Sequence, residues 1–156
     1  MVDIEHLQFG LETFGDIVAN EDGSLQTAAA SIRQIVREGK LADDLGIDVF
    51  GVGEHHRADY SVSSPETVLA AISAVTKQVK LATAVTVLSS DDPVRVYERF
   101  ATLDALSNGR AQVMLGRGSF TESFPLFGYD LTDYDDLFNE KLGLYDALRN
   151  EKAVTW

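Results

Sequence analysis

Three consecutive residues, Glu54, His55 and His56, carry the densest chemistry in the chain. Histidine works near neutral pH as acid, base or hydrogen-bond donor, so a histidine pair beside a carboxylate suits a catalytic or ligand-binding cluster. A structural surface pair is the alternative on position alone. A shared metal is disfavoured, because neighbours in an extended strand point to opposite faces and the remaining histidine, His6, is far away in sequence. Arg117 stands between Gly116 and Gly118. Guanidinium binds phosphate in bidentate fashion and flanking glycines let backbone approach an anion, which makes Arg117 either an anion site or an ordinary rim ion pair. Neither glycine cluster makes a dinucleotide fingerprint, since Thr121 and His56 occupy the third glycine positions after Gly118 and Gly53. Asp91 and Asp92 could be read as an acid pair, but Asp92 reads better as a helix cap, and Asp133, Asp135 and Asp136 suit a helix N-terminus.

These residues need a scaffold that gathers them. Four apolar, β-rich runs, Leu7 to Phe14, Asp48 to Gly53, Lys80 to Leu88 and Ala111 to Gly116, alternate with four segments of helical period. That alternation predicts successive βα units and a parallel sheet. The first helix carries Leu25, Ala28, Ile32, Ile35, Ala42 and Leu45, and Gly46 ends it. Ser64 and Pro65 cap and open the second, whose Ala70, Ala71, Ser73 and Ala74 permit close contact with the sheet or with another subunit. Asp92-Pro93 starts the third and Asn108-Gly109 closes it. A long loop with Phe120, Phe124, Phe127 and Tyr129 leads to a last helix bearing Tyr134, Leu137, Leu142, Tyr145 and Leu148, and Val154-Thr155-Trp156 reads as the start of another extended segment. Parallel α/β folds place their sites beyond the strand ends, which brings Glu54 to His56, Thr83 to Ser90 and Arg117 to Ser119 to one rim. Four such units begin either an open doubly wound sheet or an eight-fold barrel, and a barrel takes about 250 residues.

Composition narrows the partners. The chain has 156 residues, 45% of them hydrophobic, and 25 acidic against 13 basic residues, a net charge of -12. That charge opposes binding to nucleic acid or anionic membranes. The absence of cysteine removes disulfides, thiolate metal sites and a thiol nucleophile. No run approaches the roughly 18 apolar residues of a membrane span, and residues 1–10 lack a secretory signal, so a cytoplasmic location is expected.

Taken in order, Gly53-Glu54-His55-His56, Ala82 to Leu88, Asp92-Pro93-Val94-Arg95, Leu103-Asp104 to Gly109-Arg110 and Gly116-Arg117-Gly118 resemble the bacterial-luciferase-like flavin monooxygenases. The resemblance implies an eight-fold β/α barrel of the TIM type, of which residues 1–156 form the first four βα units and the N-terminal half. It implies reduced FMN, supplied by a separate flavin reductase, and oxygen, used to oxidise a small organic substrate such as an aldehyde. It assigns His55 as the catalytic histidine, with His56 in support, and places the cofactor against Glu54, Thr83, Ala84, Val85 and Arg117. Ala84-Val85 falls where the family has a non-proline cis peptide, and Arg117 where it holds the flavin phosphate. Gly116 replaces the reactive cysteine of luciferase itself, so thiol effects should be absent. The family dimerises through helices after the second and third strands, and a half-barrel should pair with its missing half or with a copy of itself. Two alternatives stand beside this: a flavin-binding or assembly half-barrel without turnover, and a deazaflavin-dependent oxidoreductase. His55 and Arg117 weigh against the first, and the Glu-His-His signature against the second.

Overall fold

The computed structural model describes residues 7–151 and 153–156; His6 lies outside them. Four strands, β1 (Gly10–Thr13), β2 (Val49–Val52), β3 (Lys80–Thr83) and β5 (Ala111–Gln112), form one parallel sheet in the order β1-β2-β3-β5. A second parallel pair joins β4 (Thr86–Val87) to β6 (Leu115–Gly116). Helices α1 (Ala28–Asp44), α2 (Pro65–Ser73), α3 (Pro93–Ser107), the short α4 (Ser123–Phe127) and α5 (Tyr134–Asn150) supply the crossovers. The order is sequential because each βα unit lays its strand beside the one before it.

Alternation along the strands makes two faces. Phe50, Val52 and Leu81 point to the helix layer, where they pack with Leu69 and Ile72 of α2 and Val96, Phe100 and Leu103 of α3. The opposite face carries small residues: a Cβ on Gly51 would stand 3.2 Å from the Cβ of Glu12 and 3.3 Å from that of Ala84. Of the small residues of α2, Ala70 and Ser73 pack inward, and Gly39 of α1 makes a further close helix contact. A Cβ at Gly39 would meet Ile72 at 2.8 Å, while Ala71 and Ala74 are exposed.

The third and fourth runs are not continuous strands. Each breaks after its first half, at Ala84-Val85 and at Val113-Met114, and resumes as the β4·β6 pair. The Thr83 hydroxyl closes the gap by donating to the Met114 carbonyl and accepting from the Met114 amide at 3.2 Å. Such breaks are invisible to periodicity, since both halves are equally apolar.

Capping follows the sequence in part. Asp92 accepts from the amides of Val94 and Arg95 at 2.8 and 3.1 Å. Asn108 and Gly109 both adopt left-handed conformations and end α3. Ser64 occupies the N-cap position, but its hydroxyl bonds the side chains of Glu66 and Thr67 instead of the backbone. Leu25 lies before the Thr27 cap, 70% exposed, outside the expected helix. Val154 to Trp156 form no strand; the Trp156 ring packs over Gly143 of α5.

At the strand starts, away from the rim, two charged side chains hold the α2–β3 turn. Asp43 accepts backbone N–H bonds from Lys77, Gln78 and Val79 at 3.0, 2.7 and 2.8 Å. Arg110 donates to the carbonyls of Ser73, Thr76, Val79 and Ser107. Among the described residues, no helix is long and apolar enough to cross a membrane.

Candidate active site

Beyond Val52 the chain leaves the sheet and turns back on itself. The amide of Gly53 still bonds the Thr13 carbonyl, and that of His55 bonds the Val62 carbonyl at 2.9 Å. Released from strand geometry, His55 and His56 both line one cavity of about 120 Å³. The strict alternation expected of them holds only inside a strand. Ala84 and Val85 form another wall, and Ser119, Phe120 and Glu122 close it from the loop after β6. Strand ends two, three and four thus converge on one site, as the βα scaffold requires.

The histidines have different surroundings. His55 stacks on Tyr60, with ring centroids 4.0 Å apart, and meets the rings of Phe14 and Phe120 edge-on at 5.9 and 5.3 Å. Burial among these rings pushes its pKa below the ordinary histidine value, against the opposing charges of Glu122, Asp16 and Glu54. The imidazole is therefore neutral at pH 7 and ready to take or share a proton. His56 Nε2 lies 2.9 Å from Glu54 Oε1, and that bond raises its pKa against the cost of burial. The other Glu54 oxygen accepts from the Val87 amide at 3.0 Å, so Glu54 ties the end of β2 to β4.

Ala84-Val85 is the cis peptide among the described residues, at the position that the family resemblance implied. Gly116 stands directly behind it, and a Cβ there would come within 2.5 Å of Val85 Cγ2. A side chain at position 116, cysteine included, must displace Val85. Gly116→Ala should therefore lower stability by about 1–3 kcal/mol, the usual range for overpacking, as read from urea unfolding. A neutral result would mean that Val85 relaxes freely.

Two assigned residues sit elsewhere. Thr83 is fully buried, its hydroxyl engaged by Met114 and Thr86, and it does not line the cavity. The Arg117 guanidinium turns outward, pairing with Asp135 at 3.1 Å and lying over the Phe138 ring. Of the two readings of Arg117, the rim ion pair is the one present; Gly118 and Ser119 reach the cavity instead. Asp91 pairs with Arg99 and does not line the cavity.

Sequence reading missed Phe14 and Tyr60 of the aromatic cage, as well as Glu122. Phe120 stood out as a loop aromatic after a strand; nothing local marked Glu122. Also unmarked was Lys141, buried on α5, which donates to the Ser89 carbonyl at 2.8 Å beneath the Tyr129 ring.

This rim, on four units of a parallel β/α array, lies where β/α barrels place their sites. A family model described as luciferase-like monooxygenase matches residues 13–156, and the chain belongs to that family. Limonene 1,2-monooxygenase of Rhodococcus erythropolis is 30% identical over 148 residues, 94% of this chain and 38% of its own length. The alkanal monooxygenase alpha chain of the Kryptophanaron alfredi symbiont is 30% identical over 109 residues, 69% of this chain and 30% of its own. Among solved structures, the monooxygenase RslO1 from Streptomyces bottropensis superposes with a TM-score of 0.85 at 27% identity, covering 96% of this chain and 45% of that one. The FMN complex of the oxygenating constituent of 3,6-diketocamphane monooxygenase from Pseudomonas putida gives 0.81 at 19% identity, covering 96% and 42%, a likeness of fold alone. The chain thus spans under half the length of these relatives, and its elements are the first four βα units of a luciferase-like β/α barrel.

Proposed function

We propose that the whole protein is a flavin-dependent monooxygenase that uses reduced FMN, delivered by a separate reductase, and oxygen to oxidise a small organic substrate such as an aldehyde. Residues 1–156 would be the N-terminal half of its barrel. The observation that carries this is the joining, in one cavity, of the His55 cage to the Ala84-Val85 wall. At about 120 Å³ the cavity is smaller than the roughly 300–1,000 Å³ of complete ligand sites, which suits one corner of a larger site. Its chemistry fits one face and edge of a flat heteroaromatic ring. Ala84 and Val85 are apolar, Gly116 leaves Val85 its room, and the buried Ser123 hydroxyl on the wall has no partner among the described residues. Bound reduced FMN would supply the electrons that split oxygen, one atom entering the substrate and the other leaving as water.

The chain's own residues then have distinct tasks. Ala84 and Val85 would pack against the ring and exclude water from it. The neutral His55 would hold or move a proton at its imidazole, screened from solvent by Phe14, Tyr60 and Phe120. Arg117 would hold the phosphate by exchanging Asp135 for it, since both anions suit the same guanidinium. The exposure of Phe9 and Leu11 beside β1 and of Met114 beside β5 favours cover by further barrel strands or by a partner copy.

The test is to mix the full-length protein with photoreduced FMN, labelled oxygen and a panel of aldehydes, ketones and terpenes. Label in the product is the expected result. Binding of a deazaflavin with no affinity for FMN would replace this reading with hydride transfer. Arg117→Ala should weaken FMN by about 1.5–3 kcal/mol, the worth of a hydrogen bond to a charged group, and leave riboflavin nearly unchanged in calorimetric titrations. Equal losses for both would remove Arg117 from the phosphate.

A further inference from the structure

We propose that Glu54 is a positioning residue: one carboxylate oxygen holds the His56 ring, the other the amide of β4, so that adjacent histidines do different work at one cavity. His56 supplies a fixed charge and His55 an exchangeable proton. Only the catalytic consequence rests on the flavin reading; the division of labour rests on geometry.

Both Glu54 oxygens are engaged, with His56 Nε2 at 2.9 Å and the Val87 amide at 3.0 Å. The side chains of His56 and Glu54 are only 11% and 8% exposed, so little water competes for the bond. The charged groups facing His56 are carboxylates from three segments. Glu54 comes from the end of β2, Glu122 from the loop before α4, its Oε1 taking a long 3.4 Å bond from the His56 amide, and Asp91 follows β4. The contact from α4 is apolar, the edge of Phe127 at 5.0 Å. An imidazole among three acids keeps its proton, and the direction of its titration agrees. One residue earlier, His55 has aromatic rings where His56 has oxygen. Two titrating groups whose surroundings drive them apart at one site are the usual basis for separate acid and base roles.

Glutamine isolates the effect. Glu54→Gln keeps an oxygen for the Val87 amide but turns an NH₂ group toward His56 Nε2, which must then accept and so give up its proton. In the full chain carrying ¹³C-labelled histidine, NMR should find the His56 midpoint above the ordinary value of about 6.5 and that of His55 below it. Glu54→Gln should lower the His56 midpoint by about one to three pH units, the effect of losing an opposite charge in contact, and move His55 less. Glu54→Asp, which keeps the charge, should hold His56 above its ordinary value. A wild-type order with His55 above His56 overturns the proposal even if no variant folds, as does an unmoved His56 in Glu54→Gln. A purely structural Glu54 would alter melting without moving either midpoint. The titration needs no flavin, so it stands or falls separately from turnover; with turnover established, the alkaline limb of kcat/KM should move with His56.

Discussion

Replacing His55 with alanine in the full-length protein is expected to lower kcat for product formation by about 10²- to 10⁴-fold, the usual contribution of a positioned acid or base. FMN affinity should stay close to that of the wild type. The separation follows from the site: His55 is held by Tyr60, Phe14 and Phe120, not by the Ala84-Val85 wall, so its loss leaves that wall standing. Stopped-flow product formation and flavin titration on one preparation would check it. Unchanged turnover would remove His55 from the chemistry, whereas parallel loss of flavin binding would make it a cofactor contact.

Asp43→Ala should cost about 1–3 kcal/mol in the unfolding free energy, since three backbone donors lose their acceptor together and one of them, the Val79 amide, is buried. Asp43 is 8% exposed, whereas Lys77 and Gln78 beside it are open to water. Asp43→Asn, which keeps one carbonyl oxygen, should cost roughly half as much. Burial favours the protonated acid, yet the bonds from Val79, Gln78 and Lys77 and the charge of Arg110 outweigh it and hold the Asp43 pKa below its ordinary value. A depressed carboxyl stabilises the fold above its unfolded pKa, about 3.9, and that contribution disappears as pH falls through the lower folded value. The stability gap between wild type and Asp43→Asn should therefore be constant near neutrality and shrink below about pH 4. A gap that persisted into stronger acid would show that shape, not charge, holds the turn.

Much of this molecule was legible in one dimension. The apolar, β-rich run Asp48 to Gly53 and the helical segment after it follow from what each residue must bury, so the four βα units and the rim they create were readable. Asp92 and Asn108-Gly109 were readable because their jobs are local: a carboxylate reaches amides two and three residues on, and a left-handed exit favours asparagine and glycine. The Glu-His-His and Gly-Arg-Gly motifs were visible as well, with the cis peptide position arriving through the family resemblance.

Tertiary structure decided the rest, because the decisive contacts join residues far apart in the chain. Glu54 reaches β4 through Val87, 33 residues on, and Thr83 repairs a break at Met114, 31 residues on. Gly116 is required by Val85, not by its own backbone conformation. Arg117 chose Asp135 across a loop whose path no local pattern sets. The sequence by itself determined that the ends of the second, third and fourth strands meet at one rim. Packing alone determined that His55 sits among aromatic rings and His56 on a carboxylate, because a side chain's charge depends on its neighbours in space.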